Sequence, residues 1–307
     1  MKLKIYAKRS FTAIMAACAV SCSVFAATPT EIYQSAVSNM AAHPDGVYTV
    51  HVDTQIPFAL DSALNQTISV QMVPFRVKGH TDIASAGMAE FFGRADIYAE
   101  QNGDILNCYY RKNDDAWKAG EEKLKDATPL AEKTVKRTVS VAYLKSVTKV
   151  ADNTYAVTVD PAMLDIGAIM RDIRAKKGDD KNLKDIEGVL NAVKQSGPVT
   201  ATVMIDPSRN KITHFEMPLT GQLRSLLTYA VVSSDGMMTP AEQAIAQQVA
   251  DNSTVNLTLD YAELPEGIDL TVPQYVKDQV LAKDKHGTGK TVNAAFEKHR
   301  NGTGETK

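Results

Sequence analysis

The chain has little of several residue types whose abundance would decide its class. Of 307 residues only three are cysteine, 17 are glycine and 12 are proline, and 34 Lys and Arg nearly balance 36 Asp and Glu. So few cysteines exclude a disulfide scaffold, and so little glycine and proline excludes collagen and low-complexity chains. Because the charges nearly balance, the composition does not indicate the strongly basic surface that is typical of nucleic-acid-binding proteins. What remains is the composition of an ordinary globular protein.

The first 26 residues have the organisation of a secretory signal peptide. Four basic residues between positions 2 and 9 precede a short apolar run at 11–20, and Val24-Phe25-Ala26 fits the small-x-small cleavage rule. A membrane-spanning helix needs about 20 apolar residues, and neither this run nor any later one reaches that length. We therefore expect export, cleavage before Ala27, and a mature chain that is soluble in the periplasm or cell envelope, with no transmembrane segment.

Lipid attachment at Cys22 is the competing hypothesis for the N-terminal region. A lipobox has Leu three residues before its cysteine, and Ala19 stands there instead, which disfavours it. Cleavage before Ala27 would leave 30 Lys and Arg against 36 Asp and Glu, a net charge of −6. Cys108 would then be the only cysteine, so no internal disulfide could form. Stability would have to come from a hydrophobic core.

Helix-start signals predict where several of five or six amphipathic helices begin. Three Thr-Pro pairs, starting at Thr28, Thr128 and Thr239, each place a capping hydroxyl before a proline at the first helical position. A glutamate three residues after the first and the last of these threonines completes a capping box. We expect these two helices to end near Met40 and Ala250. The segment after Thr128 is β-branched enough to be a strand instead.

Apolar side chains recur at helical spacing in three further segments. One helix is expected to open at Asp160-Pro161 and continue through Ile173, and another to run from Leu183 to Val193. The run Leu223–Val232 favours a helix, with extension of a strand as the alternative. The spacing also predicts buried side chains in the first helix and in the helix after Thr239, namely Tyr33, Val37, Met40, Ile245 and Val249.

Most of the remaining chain alternates between apolar and polar residues with the period of a β-strand. Asn102-Gly103 separates two such segments and is a strong hairpin signal. Consecutive hairpins favour an antiparallel sheet over a parallel, Rossmann-like one. His51 and His214 alternate with apolar residues and are expected to face outwards. The alternating segments are 48–52, 68–72, 95–101, 104–111, 147–150, 155–159, 199–205, 211–219 and 255–261.

These elements predict an α+β fold in which one long, curved antiparallel sheet is covered by helices on one side. An antiparallel sheet needs only one covered face, and the predicted amphipathic helices are enough to cover it. No linker divides the chain, so residues 27–282 are expected to form a single domain. Residues 283–307 are rich in Lys, Gly and Thr and are expected to form a disordered polar tail.

The order of these elements resembles that of a known class of envelope proteins. After the export signal and a short helix, five segments carry the resemblance: the long strand 47–55, the tyrosine-rich hairpin 97–110, Asn153–Asp160 leading into a helix, the strand–turn–strand Val203–Ile212, and the late strand Val255–Tyr261. From Thr30 to Val276 the chain thus resembles the LolA/LppX-like proteins. The resemblance implies an unclosed half-barrel with helices packed on its concave face, and an apolar cavity that holds acyl chains or another lipid-like ligand.

Five apolar residues are candidates for lining such a cavity. They are Phe58, Phe75, Phe91, Phe215 and Met217. For each of them taken singly, the hydrophobic core is the favoured location, since it is where such side chains usually lie.

Motifs for catalysis and for metal binding are incomplete or missing in the sequence. Gly287–Thr291 looks like the end of a phosphate-binding loop, but Asp284 stands where the first glycine should be, and no apolar strand precedes it. The six histidines lack the spacings of zinc-ligand pairs, and no Gly-x-Ser-x-Gly sequence occurs. We therefore expect neither an enzyme nor a cofactor or metal, and no nucleic-acid partner.

Three functional hypotheses follow from the sequence. The first is a non-catalytic exported envelope protein that binds or carries a lipid or other apolar small molecule in a half-barrel cavity. The second is an envelope protein-interaction module with a filled core and no ligand. The third, an exported hydrolase, would need a nucleophile and base that the spacing of residues does not reveal.

Overall fold

The computed structural model describes residues 27–58, 60–86, 93–123, 143–177, 183–233 and 238–286. Within these ranges the chain forms eleven strands and six α-helices. The strands are β1 (Gly46–Ile56), β2 (Leu60–Met72), β3 (Phe75–Ala86), β4 (Ala95–Asn102), β5 (Ile105–Lys112), β6 (Lys118–Lys123), β7 (Leu144–Ala151), β8 (Thr154–Val159), β9 (Val199–Asp206), β10 (Lys211–Pro218) and β11 (Thr254–Ala262). The helices are α1 (Pro29–Ala42), α2 (Ile166–Lys177), α3 (Leu183–Gln195), α4 (Thr220–Ser233), α5 (Pro240–Asn252) and α6 (Gln274–His286).

All eleven strands belong to one antiparallel sheet that is not closed. Their order is β6-β5-β4-β3-β2-β1-β11-β10-β9-β8-β7, so β1 lies at the centre. On one side of β1 the chain passes from strand to strand through β6. On the other side, β11 pairs with β1 from Val47 opposite Ala262 to Gln55 opposite Thr254. The prediction of an α+β fold with one large antiparallel sheet is confirmed.

The predicted helix starts are confirmed at both ends of the described chain. Thr28 accepts a hydrogen bond from the Glu31 backbone N–H, and the Glu31 carboxylate accepts one from the Thr28 N–H at 2.7 Å. Thr239 and Glu242 form the same capping box at the start of α5. The helix predicted after Thr128 lies outside the described residues, as do the signal peptide at 1–26 and the Gly287–Thr291 segment.

Two details of the helix predictions are wrong. Asp160-Pro161 opens a separate 3-10 turn, Pro161–Met163, because the Asp160 carboxylate caps the Ala162 N–H and the chain then extends at Leu164 before α2 begins. In α5 the side chain of Ile245 is 60% exposed, and it is Ala250 that is buried.

The prediction for the apolar run Leu223–Val232 is confirmed, because this run lies within helix α4 and not in a strand.

Alternation along the strands gives the sheet one apolar face and one polar face. The apolar face carries residues such as Tyr48, Val50, Val70, Val203 and Leu259, all of them buried. Directly paired residues project from the same face, so the register fixes the assignment across the strands. The residues between them form the polar face. His51 and His214 lie on it, which confirms their predicted outward orientation.

Two buried clusters fill the apolar face, and α1 covers one of them. Tyr33, Ala36 and Val37 of α1 pack with residues of β7 to β10, including Val157 and Val203. The second cluster joins β1, β2, β3, β4 and β11, and Met40 at the end of α1 packs against both clusters. Helix α1 therefore docks as predicted, with Tyr33, Val37 and Met40 on its inner side.

Candidate functional site on the apolar face of the sheet

Three of the five predicted cavity residues lie on the apolar face, two of them together and the third, Phe75, at the opposite end of the sheet beside the β2–β3 turn. Phe215 and Met217 are neighbours on β10, and Phe75 begins β3. Phe215 packs against both buried clusters, Met217 against the cluster that α1 covers, and Phe75 against the second cluster. All three are only partly buried. They therefore lie at the margin of the core, where an apolar ligand could reach them.

The other two predicted residues are not part of this group in the described structure. Phe58 lies in the β1–β2 turn with a positive φ of 64° and a fully exposed side chain. Its backbone conformation is one that bulky residues adopt only when a turn requires it. Phe91 lies outside the described residues.

Half-buried apolar residues also lie at the end of the sheet from which α4 leaves. Val52 and Leu257 pair directly across β1 and β11, and Leu257 pairs with Met217 across β10. Val52 and Leu257 pack against the second buried cluster, that of β1 to β4 and β11, without being buried themselves. Helix α4 is fixed beside them, because the Leu219 N–H and the Thr220 hydroxyl both donate to the Val255 carbonyl. Apolar strand residues and an apolar helix thus meet at one end of the sheet.

The helices at this end leave much of their own apolar surface incompletely covered. Helix α4 carries five Leu and Val side chains together with Tyr229 and Ala230, yet none of its residues is fully buried. Val232 of α4 is 66% exposed, and Val189 of α3 and Ile245 of α5 are exposed as well. Helix α4 contacts both α3 and α5, so these side chains belong to one helical layer. The helical layer and the margin of the sheet therefore both carry apolar surface that is not fully buried and that a ligand could contact.

Helices α3 and α4 lie close together at Gly188. A Cβ placed on Gly188 would collide with the ring of Tyr229. Glycine at this position lets the Tyr229 ring lie against the α3 backbone. A side chain at position 188 would therefore push the two helices apart or displace Tyr229.

A separate groove of about 580 Å³ lies between the 3-10 turn, the start of α2, and α3. Its lining mixes apolar residues with charged ones such as Asp165, Glu187 and Lys194. The Lys194 ammonium donates to the Leu164 carbonyl at 2.8 Å and so ties α3 to the residues before α2. None of the five predicted residues lines this groove, and its open, polar character differs from that of the apolar face.

The polar face carries a hydrogen-bonded histidine that the sequence analysis did not single out. His80 lies in a cross-strand row with Asp96 and Arg111. Its Nδ1 is 2.6 Å from Asp96, and its Nε2 is 2.6 Å from Asp82. Carboxylate oxygens only accept hydrogen bonds, so both contacts together require the doubly protonated ring. The alternation of Lys78, His80 and Asp82 along β3 was the signal available in the sequence.

Charge partners shift the pKa of both members of this pair. The hydrogen bond to Asp96 raises the pKa of His80 above its ordinary value, against a smaller opposing effect of burial, and Asp82 adds to the rise. Burial raises the pKa of Asp96, but hydrogen bonds from His80 and Arg111 outweigh it, so the Asp96 pKa lies below its usual range. The arrangement is thus an ion-pair network around an imidazolium.

Replacing His80 with Gln is expected to destabilise the protein more in mild acid than in mild base. Because the folded pKa is raised, the His80 contribution is fully present below the ordinary pKa of about 6.5 and is lost as the pH rises through the folded pKa. The loss of unfolding free energy, measured by urea denaturation, should therefore be larger at about pH 5.5 than at about pH 8.5. An equal loss at both pH values would contradict the ion-pair interpretation. In the control Asp96→Asn, an NMR titration should show the His80 pKa moving down.

The remaining polar candidates form pairs and not a metal centre. Arg94 and Arg111 make salt bridges to Asp82 and Asp96. His214 is 2.7 Å from Asp260. Among the residues that the structure describes, no three His, Cys, Asp or Glu side chains are placed to hold a metal ion.

Comparison with known proteins adds no relative. No protein-family model matches the chain, and no curated protein matches it either. In the described part of the chain, no helix has both the length and the apolar composition that crossing a bilayer requires.

Proposed function

We propose that this chain is an exported, non-catalytic envelope protein that binds a lipid or another apolar small molecule. In this proposal the open sheet is a half-barrel, and the ligand lies between its apolar face and helices α3 to α5. The observation that carries the proposal is that an apolar helix, α4, buries none of its residues fully while it stands beside half-buried Leu257. Two incompletely covered apolar surfaces side by side favour a ligand between them.

The physical chemistry of such a site suits an acyl chain. Each CH₂ group removed from water contributes about 0.8 kcal/mol, so a single chain can supply useful affinity without polar contacts. Met217 is unbranched and can adapt to different ligands, while Phe215 offers a flat, rigid surface that contacts both clusters. The architecture implied by the resemblance to LolA/LppX-like proteins, an open sheet with helices, supports the same proposal.

Met217→Glu is expected to weaken the binding of a fluorescent fatty acid at least about 100-fold. A carboxylate placed against an acyl chain loses several kcal/mol of hydration free energy. Each loss of about 1.4 kcal/mol in binding free energy weakens the affinity about tenfold. Binding is measured by titrating delipidated full-length protein with an anthroyloxy-labelled stearate. Phe75→Glu tests whether the site extends to the other end of the sheet, where Phe75 pairs with Met72 beside the β2–β3 turn.

Two matched variants serve as controls. Met204→Glu places the same charge on the polar face of the adjacent strand β9, where the side chain is 43% exposed. Phe58→Glu charges the exposed β1–β2 turn. Both should bind the fatty acid as the parent protein does. Retained binding in Met217→Glu and Phe75→Glu, with their circular dichroism unchanged, would remove these residues from the site.

The alternative is an envelope protein-interaction module whose interior is filled by its own side chains. The exposed Val232 and Ile245 on α4 and α5 favour it, since such side chains also suit a protein partner. Protein purified from its own host without detergent distinguishes the two functions. About one extractable lipid per chain supports the carrier, and no lipid together with no fatty-acid binding supports the interaction module.

A further inference from the structure

The turn between β1 and β2 carries the most exposed of the large apolar side chains that the structure describes, that of Phe58. Its neighbours Ile56 and Pro57 are half-buried, and the sequence from Ile56 to Leu60 contains no polar or charged residue. We call Ile56, Pro57 and Phe58 the apolar tip. One exposed apolar side chain is ordinary on a protein surface, so the backbone conformation at Phe58 decides whether this one has a role.

The backbone at Phe58 has a conformation that disfavours phenylalanine. Its φ is 64°, and among the described residues every other positive φ belongs to a glycine or to one of three asparagines, Asn113, Asn153 and Asn210. Glycine and asparagine tolerate this region, whereas a bulky side chain there is strained. Phe58 also follows Pro57, at the turn position where Gly or Asn is usual. The turn itself therefore does not favour Phe58, and the strain points to a function of its side chain.

The apolar tip lies at the end of the sheet from which α4 leaves. The last residue pair between β1 and β11 at this end is Gln55 with Thr254, and the Val255 carbonyl holds the start of α4. The tip begins one residue beyond Gln55 and so projects past this last pair. Val52 of the candidate site is six residues before Phe58, at most about 20 Å away along the chain. The tip and the candidate ligand site therefore share one end of the sheet.

The surroundings of the apolar tip lack basic residues. No Lys or Arg occurs between Val52 and Phe75, and residues 254–257 of the adjacent strand carry no charge. Asp53 and Asp61, both exposed, are the only Asp or Glu residues of β1 and β2. Membrane binding of a protein combines burial of apolar area with attraction of basic residues to anionic lipid. Only the first of these is offered here, which favours zwitterionic lipid.

We propose that the apolar tip inserts into the surface of a bilayer of zwitterionic lipid and so brings the α4 end of the sheet to the membrane. The choice of a bilayer rests on the proposed lipid-binding function, whose ligand would enter from one. Area argues against a protein partner. A Phe side chain buries about 150–250 Å², whereas a stable protein interface takes about 800 Å² from each partner. Insertion has no such threshold, because its gain is proportional to the apolar area removed from water.

Co-sedimentation with phosphatidylcholine vesicles tests the proposal. The exported protein is purified from its own host without detergent, and intact mass confirms that all variants share one N-terminus. Phe58→Asn is the test variant, because asparagine tolerates the positive φ of the turn. We expect it to lower the partition coefficient into vesicles at least about tenfold, since it withdraws one phenylalanine side chain from an apolar environment. Phe58→Trp should retain binding, because tryptophan is favoured at membrane interfaces.

The matched control is an exposed apolar residue in the turn at the opposite end of β2. Val73 is 77% exposed in the β2–β3 turn, and Val73→Asn should bind vesicles as the parent does. The proposal is overturned if the parent does not bind these vesicles, or if Phe58→Asn binds as well as the parent. An equal loss in Val73→Asn would also overturn it. Binding that requires anionic lipid would do the same, since charge and not the tip would then hold the protein.

A fatty-acid titration separates this proposal from the proposed function. Without vesicles, Phe58→Asn should bind the labelled stearate as the parent does, because Phe58 is not among the residues of the apolar face. Vesicle binding that depends on Phe58, in a protein without fatty-acid affinity, would support the membrane tip and reject the lipid carrier. Fatty-acid binding together with vesicle binding that Phe58→Asn leaves unchanged would support the carrier and overturn the membrane tip.

Discussion

Val203→Asp is expected to unfold most of the protein at room temperature. Val203 has no exposed surface and lies on β9 in the cluster that α1 covers, with Tyr155 and Phe215 directly opposite on the neighbouring strands. An aspartate there buries a carboxylate without a partner and removes a packed side chain. The expected loss is at least about 4 kcal/mol, a large part of the stability of a typical domain. Urea denaturation followed by circular dichroism measures it.

The neighbouring residue provides the control. Met204→Asp puts the same carboxylate one position along β9, on the polar face and opposite His214. A change of less than about 0.5 kcal/mol is expected there, as for most surface substitutions. Equal losses in the two variants would show that the two faces of the sheet are not distinguished as the register indicates.

Leu259→Pro is expected to cause a similarly large loss by breaking the centre of the sheet. Leu259 is buried on β11 and pairs with Val50 of β1 and Phe215 of β10. Proline has no N–H to donate to the ladder, and its ring does not fill the space of the leucine side chain. We expect a loss of at least about 3 kcal/mol, measured by the same denaturation experiment.

An edge strand offers a matched proline substitution. Val150 lies on β7, is 60% exposed, and falls at a bulge where the register shifts between Lys149 and Ala151. Proline is tolerated at edges and bulges, so Val150→Pro should change stability by less than about 1 kcal/mol. A loss as large as that of Leu259→Pro would mean that β7 contributes more than an edge strand normally does.

Local patterns were sufficient to predict the hairpins and several helices. Asn102-Gly103 specifies its hairpin because Gly103 adopts a positive φ of 61°, which glycine tolerates without strain. The capping residues Thr28 and Thr239 act within one turn, so short stretches of sequence contain the whole signal. Alternation predicted the outward orientation of His51 and His214 for the same reason.

Features that depend on distant partners were not predictable in this way. Ile245 fits an inner helical position by spacing, yet it is exposed in the structure, since burial in α5 depends on the distant elements that it contacts, α4 and β1. Helix α6 continues to His286, past the predicted domain boundary at 282, and its Val276 and Val280 pack with Trp117, more than 150 residues earlier in the chain. In the candidate site, Phe215 and Met217 followed from strand alternation, whereas the partial cover by α4 did not.

The pairing of β1 with β11 has a consequence for synthesis of the protein. Val50 and Leu259 are about 200 residues apart in the chain, yet they are direct partners at the middle of the sheet. A growing chain can form the hairpins of β2 to β6 early, but one side of β1 has no partner until residues 254–262 have been made. Unpaired strand edges invite association with other chains, and contacts between distant residues slow folding. The two halves of the sheet therefore join in one late step, and a chain that stops before β11 is left with two additional open edges.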